Sequence, residues 1–216
     1  MKDDSTYPFP IHRFEADKDL FAQVRQTGEP VLRIYRPDET MVVLGRSSKP
    51  DVELHVDRIL LDDVPIYRRP GGGCSVVLDP GNVVVAVVLP APGLTKTKEW
   101  YDRCTFWLID ALAKMGIDGV RKAGISDLAI GDRKIAGSAV YRQKDVFYYA
   151  VTFLVDPNLE FIPRYLAHPP MEPDYRQRRE HLDFVIALRD AIDLNDPADF
   201  ERRLNEVLDL QDLMRD

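Results

Sequence analysis

The sequence contains Tyr67-Arg68-Arg69-Pro70-Gly71-Gly72-Gly73-Cys74-Ser75, a stretch that places two arginines beside three consecutive glycines. Glycine lets the backbone approach a ligand closely and present its amide hydrogens to an anion. Arginine adds a planar, permanently charged donor for a phosphate or a carboxylate. The stretch therefore predicts an anion-binding loop. The alternative is that the glycines only form a sharp turn between two strands.

Strand-like runs lie on both sides of this glycine loop. Ile66–Arg68 leads into it, and the β-branched runs 75–78 and 83–89 follow it. The turn residues Asp79-Pro80-Gly81-Asn82 separate these two runs, which predicts a hairpin directly after the loop. Walker A loops and dinucleotide fingerprints both require a helix after their glycines. Neither motif is present, because a strand follows here.

The rest of the chain combines strand and helix patterns without an internal repeat or a flexible linker. The expected strands are Val31–Tyr35, Met41–Leu44, Asp127–Ile130, 134–141 and 146–155. The expected helices are 15–27, 100–115, 176–190 and a last helix with Asp196 as its N-cap. Together these elements predict a single α+β domain over residues 1–216, with a mixed, mostly antiparallel β-sheet covered by helices.

Composition excludes several classes of protein. The net charge of −7 repels phosphate backbones and disfavours nucleic-acid binding. The longest apolar run, residues 83–89, is strand-sized, so we expect no membrane association. The N-terminal segment lacks the apolar core of a secretion signal, and two cysteines fit a reducing compartment. We therefore expect a cytoplasmic protein.

A second segment, Ser126-Asp127-Leu128-Ala129-Ile130-Gly131-Asp132-Arg133-Lys134-Ile135-Ala136-Gly137-Ser138-Ala139, places a lysine among small residues. Side chains alternate between the two faces of a strand, so Lys134, Ala136 and Ser138 are predicted to share one face. Small neighbours would leave a groove for a ligand beside the ammonium group. The alternative is an exposed surface lysine whose neighbours are small by chance.

The two segments, in this order, resemble the motifs of the lipoate-protein ligase family, which is grouped with biotin ligases and octanoyltransferases. In the glycine loop, Arg68-Arg69 and Gly72-Gly73 match the family pattern. In the second segment, Asp127 and the run from Lys134 to Ala139 resemble the Asn-Asp-Leu…Lys-Ile-Ala/Ser-Gly-Ser/Asn-Ala motif. Looser similarity extends from about Val31 to the region of residues 175–179, so it covers most of the chain.

Four positions depart from the family pattern. Cys74-Ser75 stands where the family usually has a third glycine or an arginine and then alanine. Leu78 replaces a common histidine, and Ser126 replaces the motif's asparagine. Tyr149-Ala150-Val151 stands where family members often carry His-Gly-Thr. Any role of the missing histidines cannot be transferred to this chain.

The resemblance implies a biotin/lipoate ligase-like catalytic domain that uses ATP to activate lipoate or octanoate as an acyl-adenylate. The acyl group would then pass to a lysine of a lipoyl carrier protein, either a lipoyl domain or a glycine-cleavage H-like protein. It implies that Lys134 is catalytic and that Asp127 helps to place the nucleotide through Mg²⁺. The remaining residues implied to contact substrate or nucleotide are Arg68, Arg69, Gly71, Gly72, Gly73, Cys74 and Ser138.

Two other functions remain open at this stage. An octanoyl- or lipoyltransferase would work without ATP and use Cys74 as acyl nucleophile, because neighbouring amides and arginines would lower the pKa of its thiol. A non-catalytic protein that binds lipoyl carriers is the third hypothesis. We expect no C-terminal accessory domain, and a separate accessory chain could supply its role.

Overall fold

The computed structural model describes residues 4–91, 97–143, 145–192, 194 and 196–215. The strands are β1 His12–Arg13, β2 Val31–Tyr35, β3 Met41–Leu44, β4 Ile66–Arg68, β5 Val76–Leu78, β6 Asn82–Pro90, β7 Val120–Ala123, β8 Asp127–Ile130, β9 Arg133–Gln143 and β10 Val146–Leu154. The helices are α1 Lys18–Thr27, α2 Pro50–Glu53, α3 Val56–Leu61, α4 Thr97–Lys114, α5 Phe161–Tyr165, α6 His181–Phe184, α7 Leu188–Ala191, α8 Pro197–Val207 and α9 Leu210–Met214. Short 3₁₀ helices occur at Asp4–Thr6 and Asp174–Arg176.

The strands form two sheets. The larger has the order β2-β6-β10-β9-β8-β7, and all its neighbouring strands are antiparallel. The smaller has the order β1-β4-β3-β5, with parallel pairs on both sides of β4 and an antiparallel pair between β3 and β5. The predicted α+β class with a mixed, mostly antiparallel sheet is confirmed.

The predicted hairpin after the glycine loop is wrong. β5 pairs with β3 in the smaller sheet, whereas β6 pairs with β2 and β10 in the larger one. Contacts between the turn and a distant part of the chain hold it where the chain passes from the smaller sheet to the larger one. The Asp79 carboxylate accepts from the Gly81 amide and from the Asn158 amide, both at 2.8 Å. A Cβ on Gly81 would lie 2.0 Å from the Asp156 carbonyl oxygen, so the turn packs against a distant loop.

The predicted helix over residues 176–190 is also wrong, because tertiary contacts replace its hydrogen bonds. Gln177 and Arg178 have φ values of 54° and 59°, which are left-handed and stop a helix. Further along, Val185 forms a bridge with Lys134, and the Ile186 amide donates to the Lys134 carbonyl oxygen at 3.0 Å. We call residues 167–186 the strap, because they lie along β8 and β9 instead of forming one helix.

Helices cover the larger sheet on both faces. α4 packs one face with a stripe of buried residues at helical spacing, among them Cys104, Leu108 and Leu112. α1 packs part of the other face through Leu20 and Phe21. The rest of that second face faces the glycine loop. Among the described residues, no helix combines the length and the apolar character needed to span a membrane.

Candidate functional site

The two segments that the sequence marks out meet between the sheets. A Cβ placed on Gly71 would lie 3.5 Å from the Cβ of Ala139 and 3.6 Å from the ring of Tyr141. Ala139 and Tyr141 belong to β9 in the larger sheet, and the glycine loop belongs to the smaller sheet. The site is therefore built from both sheets.

A β-bulge in β9 decides which side chains reach this site. Leu128 pairs with Ala136, but the next residue, Ala129, pairs with Lys134. Ile135 is the extra residue in β9, and its side chain is fully buried. A bulge of this kind breaks the alternation of faces along a strand.

Because of the bulge, Lys134 lies on the face of Gly137. A Cβ on Gly137 would be 2.9 Å from the Lys134 Nζ. Ser138 points away from the glycine loop, because its hydroxyl donates to the Ser126 carbonyl oxygen at 2.9 Å and lies 2.9 Å from the hydroxyl of Tyr101 on α4. The prediction that Lys134, Ala136 and Ser138 share one face is therefore wrong.

Three side chains connected by an ion pair and a hydrogen bond form the centre of the site. The Lys134 Nζ lies 2.8 Å from the Asp127 Oδ1, and the Tyr175 hydroxyl donates to the Asp127 Oδ2 at 2.8 Å. Asp127 is only 6% exposed, whereas Lys134 remains 25% exposed. Burial and the neighbouring Asp127 carboxylate raise the pKa of Tyr175, which therefore acts as a neutral donor. The Asp127 carboxylate therefore holds the Lys134 ammonium in a defined orientation. The ammonium stays partly exposed on the face of β9 that the glycine loop contacts.

The glycine loop presents unused backbone donors. The amides of Gly72 and Gly73 donate to none of the residues that the structure describes. Gly73 adopts φ of +89°, which a residue with a Cβ rarely does. A Cβ on Gly45, at the end of β3, would lie 1.9 Å from the Gly73 carbonyl oxygen, so the two backbones touch. These amides form a concavity suited to an anion.

Both arginines of the loop have internal partners. The Arg69 guanidinium donates to the carbonyl oxygens of Gly72 and Cys74 at 2.8 Å and of Val43 at 3.2 Å. Burial lowers its pKa. Arg68 pairs with Asp4, with Nε 2.7 Å from the carboxylate, and also donates to backbone carbonyls at the end of β3. Both side chains hold the loop in place through these hydrogen bonds. Direct contact of either arginine with a ligand stays a prediction.

Glu53, which no motif or spacing in the sequence singles out, lies beneath the loop. Its carboxylate is 6% exposed and accepts from the Ser48 hydroxyl at 2.9 Å and from both the amide and the hydroxyl of Ser75 at 2.8 Å. Tyr175 is a second residue that sequence analysis missed. Its only signal was a position in the region of loose family similarity.

Cys74 does not have the surroundings of an activated nucleophile. Its thiol donates to the carbonyl oxygen of Met171 in the strap at 3.5 Å. Burial raises the pKa of the thiol, and the negative charge of Glu53 raises it further, more than Arg69 and Lys134 lower it. The expectation of a lowered pKa at Cys74 is therefore wrong, and the site does not favour the transferase hypothesis.

Known proteins resemble this chain in both sequence and fold. A family model described as the lipoyl protein ligase A/B catalytic domain matches residues 10–209. The lipoate-protein ligase A of Psychrobacter cryohalolentis is 36% identical over 159 residues, which is 73% of this chain. The chain spans 44% of that relative's length.

Solved structures share the fold at lower sequence identity. A bi-partite lipoate protein ligase from Thermoplasma acidophilum, described with its E2 lipoyl domain, has a TM-score of 0.72 and 20% identity over 92% of this chain and 79% of that one. A lipoate-protein ligase A bound with ATP has a TM-score of 0.71 and 20% identity over 90% of this chain and 81% of that one. With most of its length matched by one family model, this chain belongs to the lipoyl protein ligase A/B catalytic domain family.

Proposed function

We propose that this protein is a lipoate-protein ligase that activates lipoate, or octanoate, with ATP and transfers the acyl group to a lysine of a lipoyl carrier protein. The observation that supports this most is the position of Lys134. Its ammonium lies against Gly137, on the face of β9 that the glycine loop contacts through Gly71, and the Gly72 and Gly73 amides of that loop have no acceptor among the described residues. An anionic phosphate between them would be held by both groups.

In the first step, a carboxylate oxygen of the acid attacks the α-phosphorus of ATP, the bond to the β-phosphate oxygen breaks, and pyrophosphate leaves. The Gly72 and Gly73 amides hold phosphate oxygens, while Arg69 keeps the loop in shape. Lys134 moves from Asp127 toward the α-phosphate and stabilises the charge that develops there. A preorganised donor of this kind contributes about 3–4 kcal/mol to lowering the barrier.

In the second step, the amine of the carrier lysine attacks the acyl carbon, the tetrahedral intermediate collapses, and AMP leaves as the nitrogen loses a proton. Lys134 stabilises the negative charge on the acyl carbonyl oxygen. Asp127 and Tyr175 keep the ammonium at the position from which it reaches either oxygen. The same cation therefore serves both steps.

Mg²⁺ would accompany the nucleotide. Magnesium sites of this kind use one or two carboxylates together with substrate phosphates, and Asp127 is the carboxylate that fits. No group of three or more His, Cys, Asp or Glu able to hold a metal occurs among the described residues, so the phosphates would supply most of the coordination. The ion would neutralise phosphate charge.

We also propose a separate accessory chain and a cytoplasmic location. A bi-partite ligase is among the structures of similar fold. Cys74 and Cys104 are both unpaired thiols, which suits a reducing compartment. Addition of a candidate accessory chain to the purified protein should raise its transfer rate, and an unchanged rate would remove this part of the proposal.

Lipoate-dependent exchange of labelled pyrophosphate into ATP tests the proposed function directly. We expect the purified chain, with Mg²⁺, to exchange label only when lipoate or octanoate is present. Transfer to a purified lipoyl domain should follow, detected by the mass increase of the carrier. Absence of exchange, with and without an accessory chain, would contradict an ATP-dependent ligase.

A further inference from the structure

The carboxylate of Glu53 connects two loops that meet at the candidate site. Its Oε2 accepts from the Ser48 hydroxyl and from the amide and hydroxyl of Ser75, and its Oε1 accepts from the Lys49 amide at 3.3 Å. Ser48 and Lys49 follow β3, whereas Ser75 follows the glycine loop. Burying a carboxylate is unfavourable unless its oxygens are hydrogen-bonded, and here both are.

Two further polar contacts connect the loops at the same junction. The Gly45 amide donates to the Ser48 hydroxyl at 3.1 Å, and that hydroxyl lies 3.4 Å from the Gly73 carbonyl oxygen. Glu53 thus fixes Ser48 on one side and the amide of Ser75 on the other. Gly72 and Gly73, whose amides donate to none of the described residues, directly precede Cys74 and this fixed amide in the chain, and the Gly73 carbonyl oxygen faces Ser48.

All of these side-chain contacts are formed by loops that adjoin strands of the smaller sheet. Among the described residues, each hydrogen bond that the Glu53 carboxylate accepts comes from residues 48–49 or from Ser75, and its backbone carbonyl oxygen accepts from the Ala167 amide at 3.0 Å. None comes from β8 or β9, which carry Asp127 and Lys134. A loss of Glu53 should therefore disturb the glycine loop while it leaves the opposite side of the site in place.

We infer that Glu53 is a positioning residue that sets the shape of the glycine loop for phosphate and has no direct part in binding the acyl chain. The inference rests on the proposed function, in which the loop amides hold phosphate. It also predicts that the two substrates of the first step respond differently when this acid is changed.

The test compares Glu53→Ala and Glu53→Gln with the unmodified protein. In the exchange assay we expect the KM for ATP to rise roughly ten- to hundredfold in Glu53→Ala, since hydrogen bonds to a charged group are lost. The KM for lipoate should stay within about twofold, because none of the lost bonds reaches the larger sheet. Glu53→Gln, which keeps one acceptor oxygen for Ser75, should recover part of the ATP affinity.

Thr105→Val is the matched control. Thr105 is a buried polar residue on α4 whose hydroxyl donates to the Tyr101 carbonyl oxygen at 2.8 Å, on the far side of the larger sheet. This variant should lower stability without a change in the ratio of the two KM values. Equal increases of both KM values in Glu53→Ala would mean a merely structural role and would overturn the inference.

A second measurement works even if the protein forms no adenylate. Hydrogen–deuterium exchange followed by mass spectrometry should show faster exchange of the peptide covering residues 70–76 in ligand-free Glu53→Ala, and unchanged exchange of a peptide covering β9. Absence of pyrophosphate exchange in the unmodified protein would defeat the proposed function alone. Unchanged exchange of the loop peptide would defeat the role of Glu53.

Discussion

The two halves of the candidate site are held in different ways. On the smaller sheet, the glycine loop is fixed by hydrogen bonds from Arg69 and to Glu53 and by the backbone contact between Gly45 and Gly73. On the larger sheet, the Lys134 ammonium forms one ion pair within the described part of the chain, with Asp127. The first half, which we call the rigid half, is held by several contacts before any ligand arrives. The second, the mobile half, depends on one contact that can be exchanged for another anion.

This difference indicates that the two halves have different roles in the reaction. A rigid set of backbone donors suits a phosphate, whose position must be defined before reaction, because preorganised dipoles need no rearrangement at the transition state. A cation on a flexible stem suits charge that appears first on phosphorus and then on a carbonyl oxygen.

The largest effect is expected for Lys134→Ala, which removes the mobile cation. Exchange and acyl transfer should both fall about 10²–10³-fold, the range found when one preorganised donor is lost. Lys114→Ala is the control, since Lys114 pairs with Asp212 on the outside of α4 at 3.3 Å, and it should retain full activity. A fully active Lys134→Ala protein would remove the ligase mechanism proposed here.

Gly45→Ala tests the rigid half. The new Cβ would meet the Gly73 carbonyl oxygen at 1.9 Å, so we expect a loss of about 1–3 kcal/mol in the free energy of unfolding, as for other overpacked sites. Gly72→Ala is the control for stability, because nothing lies within 4 Å of its Cβ position. Urea denaturation compares the two variants. Equal stabilities would show that the loop can shift without penalty.

Tyr175→Phe removes one hydrogen bond from the mobile half. The Asp127 Oδ2 loses its donor, so the orientation of the Asp127–Lys134 pair weakens and the rate of exchange should fall about three- to tenfold. Tyr165→Phe removes a comparable bond, from a tyrosine hydroxyl to the Asp62 carboxylate at 2.9 Å, outside the site. The control should keep its rate. A loss of equal size in both variants would contradict a specific role for Tyr175.

The smallest effect is expected for Cys74→Ala, which should change the rates of exchange and transfer by less than about threefold because the thiol is not activated. A raised pKa leaves less thiolate than in free cysteine at every pH below it. Alkylation by iodoacetamide at pH 8 should therefore be slower at Cys74 than in a free peptide. It should be slower still at Cys104, where burial raises the pKa to about 12. Abolished transfer in Cys74→Ala would restore the transferase hypothesis.

Sequence patterns were sufficient for elements whose contacts are local. The helical spacing of Cys104 and Leu108 matches α4, and Asp196 caps α8 through a bond from the Asp199 amide at 2.8 Å. The two segments that the sequence marked out also meet, through Gly71 and Ala139.

Features that depend on contacts between residues far apart in the sequence could not be predicted from it. The alternation that predicts a hairpin at residues 75–89 cannot show that its two strands join different sheets. The pattern at residues 176–190 cannot show that Ile186 bonds to the backbone of Lys134. Glu53 gave no signal, and Tyr175 only its position in the region of loose family similarity, because what makes them relevant is a partner 22 and 48 residues away in the chain.

The bulge at Ile135 has a consequence for insertions and deletions. Removal of this one residue would leave Lys134 and Ala136 consecutive opposite Ala129 and Leu128, so the pairing of β9 with β8 would become regular. Lys134 would then stay on the face of Gly137, whereas a strand that kept Ile135 but paired without the bulge would turn Lys134 to the opposite face, toward α4. The face on which Lys134 lies therefore depends on how β9 pairs with β8, and a variant shortened by this one residue should keep the lysine in the site.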